Sequence, residues 1–181
     1  LLPKPEPYRY ASDWSRDGKY VLFTQRTTTT GEDVWLLPMN GSGEARPVVA
    51  TQFNEAQAQF SPDGRWIAYT SDDGGAAQVY AMAVAGGPRR QLPVTGGMEP
   101  RWRPDGRELF FITPGGMMAA VDVSTQPVWK AGTPKELFRC SPTRTFGWTA
   151  ATEYDVSNDG SRFVLSKGRM LHVGFNVRLE R

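Results

Sequence analysis

An Asp-Gly pair recurs four times in this chain, each time followed at once by a short apolar run, and no other feature restricts the possible folds as strongly. The four segments are Ser15-Arg16-Asp17-Gly18, Ser61-Pro62-Asp63-Gly64, Arg103-Pro104-Asp105-Gly106 and Ser157-Asn158-Asp159-Gly160. Their aspartates lie 46, 42 and 54 residues apart. A period of roughly 40 to 45 residues is that of a four-stranded propeller blade. Proline presets a backbone angle, aspartate bonds to nearby amides and glycine accepts positive φ, so each tetrapeptide suits a tight turn between antiparallel strands.

The apolar runs after the turns, at 20–24, 66–70, 108–112 and 162–166, are rich in β-branched and aromatic residues and read as strands. A second run follows in each unit, at 34–39, 79–84, 118–123 and 171–177, and a fourth strand fits 47–50, 90–93 and 135–138. Nothing comparable follows the last unit. Three positions before each aspartate stands a large apolar residue: Trp14, Phe60, Trp102 and Val156. The expected fold is therefore all-β, a β-propeller of about four four-stranded antiparallel blades over 8–51, 52–95, 96–139 and 152–181, the last incomplete. Residues 1–7, with three prolines, read as a linker, and 140–151 as a long loop that accounts for the widest spacing.

The strands that enter the turns alternate polar with bulky residues. One parity holds Ala11 and Asp13, Gln57 and Gln59, Glu99 and Arg101, Glu153 and Asp155; the other holds Ser12 and Trp14, Ala58 and Phe60, Pro100 and Trp102, Tyr154 and Val156. Period-two alternation places the sets on opposite faces, the bulky set between blades and the polar set toward the channel. Gln57, Gln59, Glu99, Arg101, Glu153 and Asp155 are accordingly the candidate ligand- or partner-binding residues of the channel. The competing expectation is that these groups solvate the channel and satisfy one another. In the long loop, Arg144, Phe146 and Trp148 form a second candidate recognition site, because exposed aromatic and arginine side chains are enriched in interface hot spots.

Catalytic, metal and cofactor sites are not expected. The turn aspartates are explained by their turns, and Asp72-Asp73-Gly74-Gly75 lacks the spaced oxygen ligands of a helix-loop-helix calcium site. His172 is the only histidine, and no Gly-x-Ser-x-Gly nucleophile elbow occurs. A net charge of +2, from 21 basic and 19 acidic residues, supplies no field for a phosphate backbone, so nucleic acid is not an expected partner. The single cysteine, Cys140, excludes an internal disulfide, and no stretch reaches the ~20 apolar residues that cross a bilayer as a helix.

The run Phe60-Ser61-Pro62-Asp63-Gly64-Arg65-Trp66-Ile67-Ala68-Tyr69-Thr70-Ser71 resembles the signature of TolB-like propeller repeats, bacterial relatives of the WD-repeat. The first unit departs from it with Arg16 in place of proline, the fourth with Asn158 there and Val156 in place of the aromatic residue. Asp33–Pro38, Glu99–Phe110 and Tyr154–Ser157 more narrowly resemble propellers appended to bacterial serine/threonine protein kinases. The resemblance implies a non-catalytic module that binds a protein or peptide, the sensory part of a signalling protein, with a lean toward a periplasmic or extracytoplasmic setting. It also implies a larger ring, usually of six blades, so the chain is expected to be part of a larger propeller or to self-associate through open blade edges. The alternatives are a closed four-bladed ring, an accessory propeller of a prolyl-oligopeptidase-type hydrolase, and a small-ligand or cation site on the channel carboxylates. No glycine-rich phosphate loop or His-Arg-Asp kinase loop is present in this sequence.

Overall fold

The computed structural model describes residues 8–41, 43–126, 128–140, 153–167 and 170–176, with Lys167 and 170–176 described by backbone alone. The first sheet holds β1 (Arg9–Trp14), β2 (Tyr20–Arg26), β3 (Glu32–Pro38) and β4 (Arg46–Val49) in that order, and the second holds β5 (Glu55–Phe60), β6 (Trp66–Ser71), β7 (Gln78–Ala83) and β8 (Arg90–Gln91). The third comprises β9 (Met98–Trp102), β10 (Glu108–Ile112), β11 (Met117–Ser124), β12 (Lys130–Ala131) and β13 (Lys135–Arg139). The fourth comprises β14 (Tyr154–Val156), β15 (Arg162–Lys167) and β16 (Met170–Asn176). Every pairing is antiparallel, as short hairpin connections require. The chain is thus an all-β run of antiparallel blades.

The Asp-Gly turns are built alike. In the first, the Ser15 hydroxyl donates to Asp17 Oδ1 at 2.8 Å, the Lys19 amide donates to the same oxygen, and the Tyr20 amide donates back to Ser15 Oγ. The same three bonds recur around Ser61 and Asp63 and around Ser157 and Asp159. Gly18, Gly64, Gly106 and Gly160 take φ of 70° to 75°, a region that other residues enter at a cost. In the third turn Arg103 replaces the serine, and its guanidinium lies 3.5 Å from Asp105 and 2.6 Å from Glu108.

Three apolar clusters join consecutive blades. Leu22, Leu36 and Val34 of the first blade meet Phe60, Ile67 and Tyr69 of the second. Ala68 and Val79 of the second meet Trp102, Leu109 and Val121 of the third. Phe110 and Met118 of the third meet Tyr154 and Phe163 of the fourth. None of the three joins the fourth blade to the first among the described residues. Residues in register across the repeats therefore meet different fates: Phe60 and Trp102 are 6% and 3% exposed between blades, whereas Trp14, on the outer face of the first blade, is 57% exposed.

Two details differ from the sequence expectation. Strict alternation along the inner strands is broken by bulges, with register shifts between Ala11 and Asp13 and between Ala56 and Gln59, and with Gln57 and Glu99 at φ of 59° and 57°. A bulge inserts one residue and re-aims the side chains around it, so the polar positions do not share one face. The third sheet also has five strands where four were expected. At eight residues β11 is long enough for its outer edge to be shared, with β12 pairing at Val123 and Ser124 and β13 at Met117 to Ala120.

Candidate channel binding site

The inner strands β1, β5, β9 and β14 each have one edge in the blade and one free edge facing the propeller axis, where main-chain N–H groups need partners. The residue before each turn serine or arginine shows this directly. Ser61 and Arg103 donate within their own blades, to Trp66 O and Glu108 O, so the preceding amides of Phe60 and Trp102 point away from the blade. Asp13 Oδ2 accepts from Phe60 N at 2.8 Å, and Gln59 Oε1 accepts from Trp102 N at 2.6 Å. A side chain of one blade thus closes the open edge of the next.

A second rung lies two residues upstream. Gln57 Oε1 accepts from Glu99 N at 3.0 Å and from the Thr70 hydroxyl at 2.7 Å, and Glu99 Oε2 accepts from Glu153 N at 2.7 Å. The Tyr154 hydroxyl donates to Glu99 O at 2.8 Å, joining the third and fourth blades once more. Gln57 and Glu99 are 3% and 1% exposed, so these bonds form in a dry setting where an orphaned group costs most.

Arg101 breaks the pattern. It stands where Asp13 and Gln59 stand, but a guanidinium has no acceptor to offer the next blade. The corresponding amide, Val156 N, instead donates to its own Asp155 Oδ1 at 2.9 Å. Arg101 is half-buried, and its Nε is buried with no hydrogen-bond partner among the described residues. Asp13 feels both Arg101 and Asp155. Burial, its largest influence, lifts its carboxyl above the ordinary value of 3.8, against the bonds from Phe60 and Trp14 and the Arg101 charge that pull it down.

The structure therefore divides the sequence candidates. Gln57, Gln59 and Glu99 are engaged in stitching blades together, Glu153 contributes its amide to that stitching, and Arg101 and Asp155 lie where the stitch is absent. Arg144, Phe146 and Trp148 lie outside the described residues. Among the described residues no group of His, Cys, Asp and Glu is arranged to hold a metal ion, and no helix is long and apolar enough to cross a membrane.

Residues 6–131 match the TolB beta propeller domain family, well over half of the chain. The chain belongs to the TolB β-propeller family. Within that family setting it is 37% identical over 101 residues to Tricorn protease homolog 1 of Streptomyces coelicolor, a match covering 54% of this chain and 9% of that protein. It is 30% identical over 119 residues to the uncharacterized peptidase YuxL of Bacillus subtilis, covering 63% of this chain and 18% of that one. Among solved structures, TolB from Acinetobacter baumannii superposes with a TM-score of 0.66 at 21% identity over 92% of this chain and 40% of that one. The TolB propeller described here thus spans less than a fifth of these two curated relatives.

Proposed function

We propose that this TolB-family propeller is a non-catalytic module that holds an extended segment of a partner protein at its axis, with Arg101 and Asp155 as its contact residues. The observation that carries this reading is the missing stitch. The inner positions of the earlier blades spend their polar side chains on the next blade, whereas Arg101 keeps a buried N–H without a partner among the described residues, and its charge and that of Asp155 both act on Asp13. An extended peptide carries both main-chain acceptors for the guanidinium and donors for the carboxylates. Gln57, Gln59, Glu99 and Glu153 serve in this reading as the scaffold that fixes the site, and the loop residues Arg144, Phe146 and Trp148 as a further contact. Self-association through the open first blade is part of the same proposal, supported by the exposure of Trp14.

The peptidase relatives favour one setting for such a module, as the accessory propeller of a peptidase whose catalytic unit lies elsewhere in the polypeptide. The sensory role beside a kinase rests on the sequence resemblance alone. The test is retention of a random decapeptide pool on the immobilised chain, read by mass spectrometry, for the wild type and Arg101→Gln. A retained subset that is intact, and is lost with Arg101→Gln, is expected. Equal retention by the variant overturns the channel assignment, and cleaved peptides overturn the non-catalytic one.

A further inference from the structure

At the end of the blades that bears the Asp-Gly turns, a groove of about 530 Å3 opens between the first and second blades. Tyr20, Leu36, Trp66 and Val84 give it apolar walls, and Arg46 and Arg65 stand in its lining. Its volume falls within the roughly 300–1,000 Å3 typical of ligand pockets. Tyr20, one wall, is 37% exposed, a large amount for an aromatic side chain in a blade whose partner is in place.

The groove between the second and third blades shows what such a space receives. Trp66 stands there in the position that Tyr20 holds one blade earlier, third after the turn aspartate, and Trp102 stands where Phe60 does. That groove is filled by Trp129, which the connection between β11 and β12 brings back across the blade boundary. The Trp129 ring lies 4.9 Å from Trp66, and 6.2 Å from Trp102 in an edge-on contact at 85°. The first pair of blades has no counterpart to Trp129, because the corresponding connection of the second blade, 84–89 between β7 and β8, holds no aromatic residue.

Charge distinguishes the open groove further. Arg46, beside Leu36 in register, is exposed and makes no ion pair among the described residues. Arg65, by contrast, is paired with Asp63 at 3.4 Å, and with the Gln126 amide turned so that its oxygen faces the guanidinium, that oxygen accepts from both Arg65 Nη atoms at 2.5 and 3.0 Å. An unpaired guanidinium at the mouth of an apolar groove selects a carboxylate next to the group that fills it.

We propose that the groove between the first and second blades is a docking site for an extended partner segment that inserts a tryptophan side chain, flanked by an aspartate or glutamate that pairs with Arg46. Tryptophan is the residue this fold itself uses in the neighbouring groove, and its large flat ring dominates the binding energy of many interfaces. The site lies away from the axis and does not depend on the channel proposal.

The test is fluorescence anisotropy with a labelled octapeptide, Gly-Ser-Asp-Asp-Trp-Asp-Gly-Ser, titrated with the wild-type chain, Arg46→Glu and Arg101→Gln. Saturable binding by the wild type, weakened at least about tenfold by Arg46→Glu and by tryptophan-to-alanine replacement in the peptide, is expected. Arg101→Gln binds like the wild type if the two sites are separate. Absence of saturable binding up to about 1 mM, binding unaffected by Arg46→Glu, or loss of binding with Arg101→Gln overturns the proposal. Arg46 is exposed and outside the cores, so its variant folds, and a matching thermal transition verifies that its loss is local.

Discussion

Replacing Gln59 with leucine isolates the bond that ties the second blade to the third. The side chain keeps its bulk, but Trp102 N loses its acceptor at 2.6 Å. That amide has no alternative in its own blade, since the neighbouring Arg103 N is the one that bonds to Glu108 O. Trp102 is 3% exposed, so water has little access to the orphaned group. Leaving a buried donor unsatisfied costs about 1–3 kcal/mol. For a chain of this size each kcal/mol moves the midpoint by about 2–4 °C, so the transition falls by about 2–12 °C. Gln59→Glu keeps an acceptor at the same reach and is the control. Both are measured by calorimetry at pH 7 against the wild type. A leucine variant as stable as the wild type, or a glutamate variant as damaged as the leucine one, refutes the idea that this acceptor holds the blades together. Arg101→Gln extends the logic in the opposite sense: it supplies the missing acceptor to Val156 N and is expected to be at least as stable as the wild type.

Asp13 has a folded pKa above 3.8, so its contribution to stability is present below that value and is lost as pH rises through the folded one. Asp13→Asn, which keeps an acceptor for Phe60 N, therefore gains on the wild type in urea midpoint between pH 3.5 and pH 7, and a constant difference counts against this assignment. Asp17 behaves oppositely. Its bond from Ser15, then those from Lys19, hold its pKa down at about 2, so Asp17→Ala is less stable than the wild type at pH 7 and the difference shrinks as pH falls from 3.8 toward 2. Light scattering tests the open face of the first blade: a mass above the monomer that returns to the monomer with Trp14→Ser supports self-association, and a monomeric wild type removes it. Gly97→Ala places a methyl 2.7 Å from Phe111 and 3.3 Å from Val79, and thermal melting is expected to show a loss of about 1–3 kcal/mol, whereas an unchanged midpoint would mean the blade gives way freely.

Local chemistry is what the sequence determines here. Asp-Gly with its serine or arginine, the apolar run after it and the period between units specify turn, strand and blade, because each depends only on residues a few positions apart. The bulky set at Phe60, Trp102 and Val156 was legible for the same reason: a large apolar residue at a fixed offset from a turn must pack somewhere. Position alone did not reveal that Trp14, in the same register, stays exposed, since that depends on which blade faces it.

The fates of the polar set were decided by tertiary structure. Gln59 and Arg101 occupy equivalent positions, yet one reaches an amide 43 residues away on the following blade and the other, with no acceptor to offer, has its Nε buried without a partner among the described residues, and only the packed blades show which amide is met and which Nε is buried. Bulges at Gln57 and Glu99 then turned those side chains away from simple alternation. The groove at Tyr20 and Arg46 carries no sign in the repeat beyond the lack, in 84–89, of an aromatic residue to match Trp129. Turns and strands are set by short-range sterics and hydrogen bonding, which sequence order records. Which donor finds which acceptor, and which groove stays open, is set by packing between blades, which only the folded chain brings about.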